Sequence, residues 1–186
     1  MPSISRRRFL KISLFSVLGT AFAGVAGFGY ARDIEPERIE VVPLELRLPR
    51  LSPAFDGYRL AQISDIHMGT GMTPERLARI VQMVNAQQPD AVAITGDFVT
   101  HGDVTVLAQR LVNALRELKA KDVAVAILGN HDHWTDAPAI RRVITDSGLL
   151  DISNGVYTIQ RGAESLHLAG VDAYWERQER LDDVLH

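Results

Sequence analysis

The stretch Val123-Ala124-Val125-Ala126-Ile127-Leu128-Gly129-Asn130-His131-Asp132 decides the fold. Its leading apolar residues are too few for a helix and show no polar alternation, which is the pattern of a strand buried on both faces. The run then ends in a glycine, an amide, an imidazole and a carboxylate, where the strand leaves the core for a loop. Two earlier runs end alike. Tyr58 to Ile63 leads into Ser64-Asp65-Ile66-His67, and Ala91 to Ile94 leads into Thr95-Gly96-Asp97.

Helices separate these strands. Thr73-Pro74-Glu75 opens the first, with Thr73 as N-cap, Pro74 in the first helical position and Glu75 near the positive end of the dipole. Leu77, Ile80, Val81 and Val84 give it one apolar face. Leu107, Leu111, Ala114, Leu115 and Leu118 stripe a second helix. A third is capped by Asp136, turns Ile140, Val143 and Ile144 inward, and stops at Gly148. Continuous apolar strands joined by helices pair in parallel, and ligands collect at the carboxyl ends of such strands. All three polar clusters fall there, so they define one shared site.

The flanks carry other patterns. Ile39 to Leu48 places Val42, Leu44, Leu46 and Leu48 on one face and is expected to form an edge strand, bounded by Pro43 and Pro49. After Gly148, the run Leu149 to Ser153, the pair Asn154-Gly155 and the run Val156 to Gln160 predict an antiparallel hairpin with a primed turn. Leu166 to Val171 is a further strand ending at Asp172, and Leu181 to His186 starts a helix.

Ser5-Arg6-Arg7-Arg8-Phe9-Leu10-Lys11 matches the twin-arginine export pattern, and an apolar, glycine- and alanine-rich run follows to about Tyr30. Residues 1–31 are therefore expected to be a signal peptide or membrane anchor. Residues 32–58 are expected to be a linker with the edge strand, and residues 59–186 the catalytic domain portion. The implied partners are the twin-arginine translocation machinery and a membrane, and the implied location is the periplasm or the outer face of the cytoplasmic membrane. Formal net charge is -3, with 20 basic and 23 acidic residues, and four of the basic ones precede Arg32. The acidic body gives no electrostatic reason to bind nucleic acid. Cysteine is absent, which excludes disulfides and thiolate chemistry.

Asp-x-His, then Gly-Asp, then Gly-Asn-His-Asp, each closing a strand of a βαβαβ unit, resembles the calcineurin-like metallophosphoesterase family from roughly Leu60 to Asp172. Ser64 before the first aspartate and the twin-arginine leader are most similar to its exported bacterial branch, which includes UDP-2,3-diacylglucosamine pyrophosphatases of lipid A synthesis. The resemblance implies an α/β fold, a four-layer α-β-β-α sandwich of which this chain holds the amino-terminal part, with the second sheet incomplete. It implies hydrolysis of a phosphodiester or pyrophosphate by a metal-bridging hydroxide, with a phosphoester or nucleotide-sugar-lipid substrate.

One oxygen donor and one nitrogen donor, Asp65 and His67, suit Mn, Fe or Zn better than Mg or Ca. Their alternation along an extended segment turns both to one face. The resemblance implies two divalent metal ions, with Asp97 bridging them and Asn130 binding the second through its amide oxygen. It casts His131 as the catalytic histidine that meets the phosphate without binding metal. Asp132 is then expected to orient His131 or to tie down its loop, while His133 packs at the rim and Asp172 lines the cleft. The later histidines of the family pattern are missing from this sequence. The chain is accordingly expected to be a carboxyl-terminally truncated copy with little activity of its own. The alternative is a degenerate, non-catalytic binding module tethered to a membrane.

Overall fold

The computed structural model describes residues 39–69 and 71–185. The twin-arginine stretch and the apolar run after it lie outside them. Among the described residues no helix is long and apolar enough to cross a membrane.

Strands β1 (Leu60–Ile63), β2 (Ala91–Thr95) and β3 (Val123–Ile127) pair in parallel, with Ile63 opposite Ile94 and Ile94 opposite Ala126. Helices α1 (Pro74–Ala86) and α2 (Val104–Leu115) are the crossovers. Each starts as its sequence requires. Thr73 Oγ1 accepts from Arg76 N, and Asp103 Oδ1 accepts from Thr105 N. A short helix α3 (Asn130–Thr135) follows β3, and Asp136 then caps α4 (Ala137–Asp146) by accepting from Ala139 N. Gly148 ends that helix at φ +77, a left-handed conformation that costs glycine nothing. Leu77, Leu111, Leu115, Ile140 and Ile144, all fully buried, join Ile63, Ile94 and Ala126 of the sheet in one core.

Two expectations fail on the flanks. Residues 39–48 form no strand; Pro43 and Pro49 remove ladder donors, and Val42, Leu44 and Leu46 are exposed. The hairpin centred on Asn154-Gly155 is also wrong. Leu150–Asp151 forms β4, which extends the first sheet in parallel beside β3, because Leu149 and Ile152 bury there. The antiparallel pair is instead β5 (Gly155–Arg161) with β6 (Glu164–Gly170), closed by the two-residue turn Gly162-Ala163. Gly162 has φ +65, which suits the first position of that turn.

The architecture is therefore an α/β fold with a four-stranded parallel sheet, its helices and a small second sheet. Gly170 marks where β6 meets the first sheet, since a Cβ there would stand 2.3 Å from the Ile152 carbonyl oxygen. The chain ends its described part with α5 (Leu181–Leu185).

Candidate metal centre

The three predicted clusters converge at the carboxyl ends of β1, β2 and β3. The loop after β1 runs alongside the loop after β2. His67 N donates to the Asp97 carbonyl at 2.9 Å and Met68 N to that of Phe98 at 2.9 Å. Asp65, His67 and Asp97 all hold left-handed backbones, at φ 54, 48 and 56. The sequence-based reason for their shared direction, alternation along an extended segment, is thus incorrect, because β1 stops at Ile63. The left-handed turns aim them instead. Such conformations cost a non-glycine residue about 1–2 kcal/mol each and gather at functional sites.

His67 Nε2 lies between two carboxylates, 3.5 Å from Asp65 Oδ1 and 3.6 Å from Asp97 Oδ2. Ser64 Oγ donates to the other oxygen of Asp65. His67, Asp97 and His131 each bring one donor atom within 4.8 Å of the other two. His131, expected to stay off the metal, therefore sits among the closest donors. Its ring meets His67 edge-on at 4.9 Å and Trp134 at 4.7 Å between centroids. Asn130 opens α3 beside them, half-buried.

The space for these groups comes from two glycines. A Cβ on Gly129 would stand 2.1 Å from Asp97 Oδ1, and one on Gly96 would stand 2.5 Å from Gly129 N. No side chain fits at either position without moving the Asp97 loop. Nitrogen and carboxylate donors converging in an open, half-buried cradle fit a divalent transition ion better than Mg or Ca.

Asp132 is fully buried and binds no site side chain. Its Oδ2 accepts from Asp97 N and Gly129 N, both at 2.9 Å, and its Oδ1 from Phe98 N at 2.9 Å and Val99 N at 3.4 Å. It ties the Asp97 loop to the start of α3 rather than orienting His131. Burial pushes its carboxyl up to about 6, the backbone donors pulling against that and the Asp97 charge adding to it. His131 is oriented by Thr100, whose carbonyl accepts from its Nδ1 at 3.1 Å. The Thr100 hydroxyl faces His67 Nδ1 at 3.0 Å. Nothing in the sequence pattern singles out Thr100.

His133 and Asp172 meet each other, Nε2 to Oδ1 at 2.7 Å. Asp172 is buried and also accepts from Arg141, which reaches Asp151 with its other arm. Asp172 therefore does not line the cleft. It anchors the loop after β6 to α3 and α4. Trp134 extends the same anchorage, donating its Nε1 proton to Glu176, and its ring remains 60% exposed at the rim.

A parallel sheet whose strand ends gather Asp-x-His, Gly-Asp and Gly-Asn-His-Asp carries the motif order of the metallophosphoesterase class, and the sequence comparisons agree. The pattern of the calcineurin-like phosphoesterase family matches residues 58–183, and the chain belongs to that family. It is 31% identical over 174 residues to the uncharacterized metallophosphoesterase YkuE of Bacillus subtilis (strain 168), covering 92% of this chain and 61% of that protein. It is 32% identical over 123 residues to the UDP-2,3-diacylglucosamine pyrophosphatase LpxG of Chlamydia muridarum, covering 66% of this chain and 37% of that one. A transmembrane protein with metallophosphoesterase domain from Danio rerio is 31% identical over 154 residues, covering 81% of this chain and 34% of the relative. The chain thus spans less than two thirds of the length of these relatives.

Proposed function

We propose that the protein is a metal-dependent phosphoesterase that hydrolyses a phosphodiester or pyrophosphate outside the cytoplasm. The observation that carries this reading is the convergence of Asp65, His67, Asp97 and His131 at three strand ends, two of them glycine-flanked. Asp65, His67, Asp97 and the Asn130 amide would hold two divalent ions. When bound, the ions supply Lewis-acid charge for the phosphate and acidify a water at neutral pH.

The chain's own residues do the rest. His131, with Nδ1–H held by the Thr100 carbonyl, presents Nε2 to the cleft. From there it stabilises charge on the phosphoryl oxygens or passes a proton to the leaving oxygen. Asp132 keeps the Asp97 and His131 loops in register through buried backbone bonds. The LpxG relatives, named as pyrophosphatases of a diacylated sugar nucleotide, support a nucleotide-sugar lipid as the substrate class. Export by the twin-arginine route, and retention at the membrane, rest on Ser5 to Lys11 and the apolar run behind it.

The test separates holding metal from turning over substrate. Asp97→Ala should lose bound metal, measured as metal per protein after gel filtration, together with any hydrolysis of bis-p-nitrophenyl phosphate. His131→Ala should keep the metal and, in a version that carries the family's later histidines, lose turnover by roughly 100-fold or more. If His131→Ala empties the site, His131 is a ligand and the division of roles is wrong. A non-catalytic, membrane-tethered binding module is the second reading, favoured by the single three-donor group of His and Asp among the described residues. Wild-type protein that holds metal and phosphate ligands without hydrolysis, even with later histidine donors supplied, would establish it.

A further inference from the structure

Thr100 touches both site imidazoles, through different atoms. Its backbone carbonyl accepts from His131 Nδ1 at 3.1 Å, and its side-chain hydroxyl lies 3.0 Å from His67 Nδ1. A carbonyl can only accept, so His131 must carry its proton on Nδ1. A hydroxyl both donates and accepts, so it imposes no such choice on His67. The surroundings of the other His67 nitrogen make that freedom useful. Without metal, Nε2 faces the Asp65 and Asp97 carboxylates at 3.5 and 3.6 Å, where an N–H is favoured. With metal, Nε2 must offer its lone pair.

We propose that the Thr100 hydroxyl is a reversible partner that lets His67 change tautomer on metal loading, while the Thr100 carbonyl locks His131. Before loading, His67 holds its proton on Nε2 and the hydroxyl donates to Nδ1. On loading, the Nε2 proton leaves to solvent and one is taken up at Nδ1, so the ring's proton count is unchanged. The hydroxyl then rotates to accept from Nδ1–H. His67 stays hydrogen-bonded in both states, and its ring plane need not turn. Thr100 is in this sense a positioning residue for metal uptake. The inference rests on the metal-centre reading above.

The experiment is nitrogen NMR on the histidine-labelled chain, metal-free and through a zinc titration, with zinc affinity measured by calorimetry. Wild type should show His67 protonated on Nε2 without zinc and on Nδ1 with it, and His131 protonated on Nδ1 in both. Thr100→Val retains the carbonyl and the side-chain shape but removes the hydroxyl. It should bind zinc roughly 10-fold or more weakly, within the range typical for groups that orient a ligating histidine. Thr100→Ser should return the affinity to within about 3-fold of wild type. The unchanged His131 signal in Thr100→Val shows that the loop is still folded. Zinc uptake with His67 in one tautomer throughout, or wild-type affinity in Thr100→Val, overturns the switch alone. Failure of wild type to take up zinc overturns the metal-centre reading and the switch with it.

Discussion

Both ends of the parallel sheet are laced across strands by a buried aspartate, and the two lacings differ in kind. At the carboxyl ends, Asp132 is fully buried and takes backbone N–H groups from two loops, with no cation beside it. At the amino ends, Asp90 is 8% exposed, accepts from Arg59 N and Lys121 Nζ at 2.8 Å each, and so has its charge matched. The backbone differs too. The site end holds three left-handed candidate ligands in two loops, whereas Gln88 at the other end, φ 50, occupies the left-handed position that commonly follows a helix. The same sheet is thus conventional where it only needs to hold and strained where it holds chemistry.

The largest effect should come from removing the site-end lacing. Asp132→Ala leaves four backbone donors without their acceptor, each costing about 1–3 kcal/mol when buried, though not additively. We expect a loss above about 4 kcal/mol, enough to unfold most of the protein at 37 °C, where Asp90→Ala costs about 1–2 kcal/mol. Urea denaturation followed by circular dichroism compares the two. Equal losses would show that the two ends are laced alike.

Glycines sharpen the contrast. Gly129→Ala drives a Cβ to 2.1 Å from Asp97 Oδ1, so we expect about 3 kcal/mol of destabilisation and at least 10-fold weaker metal binding. Gly57, in the turn before β1 with φ +73, has nothing within 4 Å of a Cβ, and Gly57→Ala should cost about 1 kcal/mol without touching metal. Weakened metal binding in Gly57→Ala would break the assignment of crowding to the site end alone.

What the sequence made legible divides along the same line. The strands from Leu60, Ala91 and Val123, the caps Thr73 and Asp136 and the stop at Gly148 were readable, because apolar continuity and capping chemistry are local signals. The convergence of Asp65, His67, Asp97 and His131 followed from topology alone. The left-handed turns that aim them were not readable, since no residue type demands φ above zero at an aspartate or histidine. Helix α3 was missed because His131-Asp132-His133-Trp134 has no apolar period. Asp132 reads from sequence as either orienting His131 or tying down its loop, and only its buried bonds to backbone N–H groups show that it does the second. Asn154-Gly155 misled for a physical reason. Asn154 does turn left-handed, φ 57, yet its side chain accepts from Asp172 N and Arg180 N and clamps a loop, while the free edge of β3 captures Leu150–Asp151.

The amino-end lacing should also show its charge in pH dependence. The Lys121 hydrogen bond, working against burial, holds the Asp90 carboxyl below its ordinary value. A depressed folded-state value means that the stabilisation is present above the ordinary carboxylate range and is lost as pH falls through the folded-state value. Lys121 is 61% exposed, so solvent screening limits the effect to about 1 kcal/mol. Asp90→Asn should therefore be less stable than wild type by that amount at pH 7, with the gap closing toward pH 3. A gap that persists at acid pH would make the bond to Arg59 N, not the ion pair, the main contribution.

The smallest effect has the most informative sign. Asp65 is exposed, its carboxylate partnered by Ser64 Oγ, and it holds φ 54. Asp65→Gly relieves that backbone at a small entropic cost, so the metal-free protein should gain about 0.5 kcal/mol of stability while metal binding falls. Gln88→Gly, φ 50 at the other end, should gain a similar amount and leave metal binding intact. The pair separates strain kept for a ligand from strain that merely ends a helix. If Asp65→Gly is instead destabilised, the Asp65 turn is held up by contacts that repay it locally. The strain at the carboxyl ends would then be a property of the fold, not of the metal centre.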